Sequence, residues 1–239
     1  MMALKLTNDR KTRAHKNQKN TFGLLPGNPS KGGSCPGATT GKGGCQHVAD
    51  GKKNATCYVE PLMKAYTNVR KSLEHNTELV KNATEDELVE LFYDMFAEFK
   101  RIETKRGRGD SLHFRHHWSG DMLNELYCRA LKTAMLKFPE ISFWTYTRSW
   151  FALPILSDVP NLTLYISADE VNLNQALKVY MDYTDNDNVS VAYMGEEKPE
   201  IKDLLMTACP VDNNKMALEE ACQKCKLCLK GKPIFFKTK

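Results

Sequence analysis

Seven of the eight cysteines fall into two groups at opposite ends of the chain. The later group runs Cys209-x12-Cys222-x2-Cys225-x2-Cys228. Two successive C-x2-C turns let the chain wrap back so that several thiolates converge, and this suits a zinc site or an iron–sulfur cluster alike. Lys224, Lys226 and Lys230 are placed to stabilise thiolate charge there. The earlier group, Cys35-x9-Cys45-x11-Cys57, offers three thiolates, one short of a closed tetrahedron. His47 completes a zinc site in one reading, and a [4Fe–4S] cluster with one open iron answers in another. In a third reading both groups serve a single centre. Free thiols in a basic tail are the alternative to all of these. Cys128 stands alone beside Tyr127 and Leu131 and reads as core packing.

The glycines of "SCPGATTGKGGC" (34–45) invite comparison with a phosphate-binding loop, but the count excludes it. Only three residues separate Gly37 from Gly41, and Lys42 is followed by Gly43 where a P-loop needs Ser or Thr. The glycines instead let an irregular loop bring Cys35 and Cys45 toward one centre.

A second set of candidate residues lies at the ends of expected strands. "LHFRHHW" (112–118) alternates in a two-residue rhythm that puts His113, Arg115, His117 and Ser119 on one face. It runs into Ser119-Gly120-Asp121. "ISFWTYT" (141–147) leads to Thr147, Arg148 and Ser149, and "LTLYIS" (162–167) leads to Ser167 and Asp169. In a parallel α/β sheet, ligands bind where strands end and loops begin. Arg115, His117, Ser119, Asp121, Arg148 and Asp169 are therefore the candidate catalytic residues. Gly120, Thr147, Ser149 and Ser167 are the candidate ligand-binding ones. The structural alternatives are that Ser119 or Asp121 caps the following helix and that Arg148 pairs with Asp121 or Asp169.

The elements that must position these residues follow from periodicity. A polar helix is expected over 59–80, and an amphipathic helix over 85–102, with Leu88, Leu91, Phe92, Met95, Phe96 and Phe99 inward and Thr84–Glu87 as its capping box. Helices over 122–138 and 172–182 alternate with the three strands above and with "VSVAYM" (189–194). This predicts an α/β fold of parallel β-α-β units, as an open or partial barrel rather than a doubly wound sheet. A loop-rich, cysteine-containing N-terminal arm (1–60) precedes the α/β domain (61–208), and a cysteine-rich basic tail (209–239) packs on that domain.

The net charge of +5 conceals an asymmetry. Residues 1–60 hold ten Lys/Arg against three acids and residues 222–239 six Lys and no acid, leaving −8 for the body. Basic ends can contact nucleic acid or can simply be solvated. No apolar run approaches the roughly 18 residues of a membrane span, and the basic N-terminus lacks the apolar block of a secretory signal. The expected location is the cytoplasm, where thiols stay reduced and the four N-x-[ST] matches carry no glycan.

In order along the chain, "SCPGATTGKGGC", "TCYVEPLMKAYTNVRKSLEHN", "FRHHWSGDM", "FWTYTRSW" and "LYISADE" resemble the bacteriophage "gene product 88" domain family over most of residues 20–170. The family shows a C-P-G-A opening, a later C-[FY]-A, an R-x-H-x-S-G-D strand end and a Y-T-[RK]-S strand end. The C-terminal C-P…C-x2-C-x2-C and final "IFFK" also resemble some members, while Val59 stands where Ala is common. The resemblance implies a phage origin and no particular reaction. It marks Cys35, Cys45, Cys57, Arg115, His117, Ser119, Gly120, Asp121, Tyr146, Thr147, Arg148 and Ser149 as family-like positions. A looser, architectural likeness is to radical S-adenosylmethionine enzymes. These place three cysteines in an early loop, leave one cluster iron open, and end the next strand in a Gly-Gly-Glu-type motif, the place Ser119-Gly120-Asp121 takes here. Their compact three-cysteine motif is absent. Together these imply an iron–sulfur enzyme that uses S-adenosylmethionine on an unknown small or macromolecular substrate. The alternative is a zinc-stabilised, non-catalytic protein binding nucleic acid or a host protein.

Overall fold

A computed structural model describes residues 3–38, 57–109 and 112–238. Seven strands, β1 (Thr21–Gly23), β2 (Leu112–Ser119), β3 (Ile141–Thr147), β4 (Leu162–Ala168), β5 (Val189–Gly195), β6 (Thr207–Ala208) and β7 (Ile234–Lys237), form one sheet. Its order is β1-β2-β3-β4-β5-β7-β6, and every neighbouring pair is parallel. The order climbs without reversing through β5, so the sheet has no doubly wound switch point. It ends in two edges and does not close into a barrel.

The helices are α1 (Val59–Ala65), α2 (Thr67–Asn82), α3 (Glu85–Lys105), α4 (Glu125–Met135), α5 (Leu153–Leu156), α6 (Leu173–Met181) and α7 (Ala221–Cys225). The expected capping box opens α3: Thr84 accepts from the Glu87 amide, and Glu87 reaches back to the Thr84 amide. The polar helix expected over 59–80 is broken at Tyr66, whose extended backbone separates α1 from α2. The helix expected from residue 122 starts at Glu125, because Asn124 accepts from the Tyr127 amide and caps it. Neither Ser119 nor Asp121 is that cap.

The two faces of the sheet have different partners. Phe114, Phe143, Leu164, Ile166 and Val191 join Phe92, Phe96 and Phe99 of α3 and Tyr127 and Leu131 of α4 in the main core. Each fully buried phenylalanine there contributes roughly 1.5–3 kcal/mol of burial. Cys128 is fully buried in the same core, as its sequence context predicts. On the opposite face Tyr146, Tyr165, Ala192, Ile234 and Phe236 meet Cys209 and Cys228 from the tail.

The arm and tail are built into this architecture. The arm supplies the edge strand β1, and the tail supplies β7 beside β5. Buried polar side chains tie the arm down. Asn76 bonds both backbone groups of Lys5 and the Gly23 carbonyl, while buried Glu103 accepts from Gln18 and pairs with His15. Arg10 and Arg13 pair with Glu219, Lys11 pairs with Asp212, and the Glu220 and Cys222 amides donate to the Arg10 and Lys11 carbonyls. Three basic residues of the arm are thus matched to acids in the first part of the tail. No helix among the described residues is long and apolar enough to cross a membrane.

Candidate functional site

The strand carboxyl ends open on a cavity of about 1060 Å³, walled by the face of the sheet away from the main core, the arm and the tail. Arg115, His117, Ser119, Gly120, Asp121, Arg148 and Ser167 line it, as do Cys35, Cys57, Cys209, Cys222, Cys225 and Cys228. Cys45, with Gly41, Lys42 and His47, lies outside the described residues. The two cysteine groups, about 150 residues apart in the chain, therefore share one cavity with the three strand ends.

The Cys35 loop is seated directly on those ends. It follows β1, its amide donates to the Gly27 carbonyl at 2.8 Å, and Ser34 Oγ donates to the Leu25 carbonyl at 2.9 Å. Gly120 has φ +77°, and a Cβ there would fall 2.5 Å from Ser34 Oγ and 2.7 Å from Leu24 Cβ. Glycine is thus required both by backbone and by the approach of the cysteine loop. A Cβ on Gly37 would lie 2.9 Å from both the Cβ and the carbonyl oxygen of Arg148. Ser119 closes the seam: its Oγ donates to the Leu24 carbonyl at 2.8 Å, and the Leu24 amide donates back to the Ser119 carbonyl at 2.9 Å.

Asp121 is the hub of the polar side chains. Its Oδ1 accepts from the Met122 amide at 2.7 Å and from Thr147 Oγ1 at 2.6 Å, and its Oδ2 accepts from the Arg148 amide at 2.8 Å. Burial pushes its carboxyl above the ordinary range, and these donors pull the other way. Thr147 Oγ1 also accepts from the Ser149 amide at 2.9 Å. Arg148 pairs through its side chain with Asp169 at 2.8 Å, both groups nearly buried. Asp169 in turn accepts from the Val171 and Asn172 amides ahead of α6. Thr147, Ser149 and Asp169 sit behind the cavity wall and hold Asp121 and Arg148 in place.

His117 departs from the alternation expected of its strand. Its φ of +61° bulges β2, whose register against β1 advances from Thr21↔Arg115 to Gly23↔Ser119. Both His116 and His117 consequently turn toward α4, each with Nε2 2.8 Å from Tyr127 Oη. One hydroxyl donates once, so one imidazole accepts from Tyr127 while the other donates to it. Burial, then the nearby Arg115 charge, pushes His117 down to about 3, and burial holds His116 well below its usual value. Both rings are neutral at physiological pH. Sequence alternation assigned His117 to the face of Arg115. His116 and Tyr127, its partners here, carried only a hydrophobic-core signal.

On the tail side, Tyr146 Oη donates to Cys228 Sγ at 2.9 Å, and the Tyr146 ring stacks on Tyr165 and meets the Arg115 guanidinium at 5.3 Å. Burial pushes Cys222 up to about 12 and raises Cys209 and Cys228. The cations that act on these thiols are Lys11 of the arm and Arg115 of β2, in place of the expected Lys224, Lys226 and Lys230. Among the described residues, no three His, Cys, Asp or Glu side chains converge closely enough to hold a metal ion. The four tail cysteines share the cavity wall without forming such a group.

These features define a class: an α/β protein whose parallel sheet opens at its strand ends onto a cysteine-lined, arginine-bearing cavity. Residues 2–231 match the family described as "Gene product 88". The chain is 33% identical to the "Gene 88 protein" of Mycobacterium phage D29 over 255 aligned positions, covering 100% of this chain and 99% of that one. It is 32% identical to the "Gene 88 protein" of Mycobacterium phage L5, with the same coverage of both chains. The chain belongs to the bacteriophage gene product 88 family. No solved structure matches it.

Proposed function

We propose that the cavity is the active site of an iron–sulfur enzyme of radical S-adenosylmethionine-like design. One observation carries this reading: the cysteine-bearing loop that leaves β1 is seated on the Ser119-Gly120-Asp121 end of β2 and on Arg148 after β3. The steadily climbing parallel strand order supports it, since that order is also the order of a partial β/α barrel. The donor set suits a cluster by type, although the described thiols do not converge into a ligand group. Cys35 and Cys57 face the cavity, Cys45 lies between them in sequence, and thiolates are the ligands such clusters take.

Cys35, Cys45 and Cys57 would hold the cluster, which would supply, with electrons from an external reductant, the one-electron reduction that cleaves a sulfonium carbon–sulfur bond. The chain's own residues do the positioning. Asp121, fixed by three donors, would accept from the amino group of a bound methionine. Arg148, held by Asp169, offers charge at the same strand mouth. The tail thiols would hold a second, auxiliary centre. Three of the arm's basic residues are already paired with Glu219 and Asp212, which favours this reading over nucleic-acid binding by a free basic arm.

The test is protein reconstituted anaerobically with iron and sulfide, mixed with dithionite and S-adenosylmethionine, and assayed for 5′-deoxyadenosine by chromatography. The reading expects release that is lost in Cys35→Ala. No release from a protein that has taken up its cluster would overturn it.

A further inference from the structure

Arg115 is not used in the reading above, and its surroundings are unusual for a half-buried cation. It lies on the cavity face of β2, level with Trp144 of β3 and Thr21 of β1, several residues deeper than the Ser119-Gly120-Asp121 mouth. Three other cavity cations have acid partners: Arg148 has Asp169 at 2.8 Å, Arg10 has Glu219 at 3.0 Å and Lys11 has Asp212 at 3.5 Å, while Lys226 and Lys237 line the wall with no ion pair among the described residues. The Arg115 guanidinium has no ion pair within 4.0 Å among the described residues, and the Asp9 carboxylate in the same cavity lining acts on it from longer range. Its Nη2 donates to Tyr58 Oη over a long 3.4 Å. Its Nε is buried and has no acceptor among the described residues.

A guanidinium partly withdrawn from water, with its Nε buried, favours an anion or further acceptors beside it. Its planar fork matches a carboxylate or phosphate edge in two parallel hydrogen bonds. The cavity around it offers flat apolar walls in Tyr58, Trp118, Trp144, Tyr146 and Phe236, with the Tyr146 ring already against the guanidinium. Rings placed this way accept a flat unsaturated body by stacking.

We propose that Arg115 is the recognition group for the anionic substituent, carboxylate or phosphate, of a flat unsaturated ligand that enters this cavity as substrate. The proposal rests on the cavity being a ligand site and names the class of ligand it takes. Arg115 lies below the strand mouth assigned to the methionine end of the cosubstrate, so the two anions occupy different depths.

The probes are phenyl phosphate, benzoate and the neutral benzyl alcohol. Each is titrated calorimetrically into protein purified without oxygen and into the same protein after chelation. The expected result is saturable binding of one anion per chain in both preparations, at least tenfold tighter than benzyl alcohol. Whether phenyl phosphate or benzoate binds more tightly then identifies the substituent. Arg115→Gln should abolish the advantage of the anions and leave benzyl alcohol binding within twofold. Arg115→Lys, which keeps the charge and loses the fork, should retain part of the advantage. If Arg115→Gln does not fold, the wild-type ratio of anion to neutral probe and the Arg115→Lys result decide the matter. Equal binding of charged and neutral probes, or an anion advantage unchanged in both variants, overturns the proposal. Binding confined to chelated protein also overturns it, because bound thiolates would then be the anion Arg115 serves. Absence of iron or of S-adenosylmethionine cleavage would sink the catalytic reading and leave this measurement standing.

Discussion

Replacing Asp121 by Asn removes one oxygen from a carboxylate that accepts three hydrogen bonds. If the amide oxygen keeps the Met122 amide and Thr147 hydroxyl, the new NH2 group faces the Arg148 N–H. Flipped, it faces the Met122 N–H. Either way a buried backbone donor loses its acceptor, at a cost of about 1–3 kcal/mol. The remaining bonds change from charge-assisted to neutral, which adds about 1 kcal/mol. Relief of the burial penalty on the carboxylate works in the opposite direction, so the net expectation is about 2 kcal/mol. For a chain of this size that corresponds to a fall in Tm of roughly 4–8 °C. Urea unfolding at pH 7 of wild type, Asp121→Asn, Thr147→Val and the double variant reads this out as a cycle. A coupling of about 1 kcal/mol between the two residues is expected from their 2.6 Å contact. An Asn variant within about 0.5 kcal/mol of wild type, or a coupling of zero, would refute the hub assigned to Asp121.

Two further perturbations follow. Gly37→Ala places a methyl group 2.9 Å from Arg148 backbone and side chain. It should cost about 1–3 kcal/mol by overpacking and lower cluster incorporation, checked by urea unfolding and iron content together; unchanged values in both would show that the loop does not rest on β3. His116 and His117 are neutral when folded and titrate at about 6.5 when unfolded, so the unfolded chain binds more protons below that pH. Their stabilisation is complete above pH 6.5 and is lost as pH falls below it, at up to about 1.4 kcal/mol per pH unit for each ring, for His117 down to about 3. His116→Phe should remove about half of that slope between pH 6 and 5, measured by denaturant midpoints; an unchanged slope would contradict it.

The regular part of the fold was legible because local signals agreed with tertiary demands. The Thr84–Glu87 box sets the start of α3, and the apolar runs at 141–147 and 162–167 became β3 and β4 within one residue. The strand-end grouping was legible too, since a climbing parallel order must bring Asp121, Arg148 and Ser167 to one mouth. The bulge at His116–His117 was hidden, because a two-residue period carries no mark of a left-handed residue. The strap of Arg10, Lys11 and Arg13 onto Glu219 and Asp212 was hidden as well. It joins residues about 200 positions apart, and charge composition alone reads such segments as free. Tyr58 became visible as a site residue only through its contact with Arg115, and Tyr146, a family-like position by resemblance, acquired a role only through its contact with Cys228.

The account turns on whether thiols from both chain ends serve a metal centre in the strand-end cavity. Iron, zinc and acid-labile sulfide analysis of the full chain purified without oxygen, alongside Cys35→Ala and Cys228→Ala, tests this most directly. The account predicts a brown protein with about four irons and four sulfides per centre. Cys35→Ala should lose the complement of the catalytic centre, and Cys228→Ala should lose that of the auxiliary one. A colourless protein that stays colourless after anaerobic reconstitution with iron and sulfide, and carries stoichiometric zinc, would contradict it.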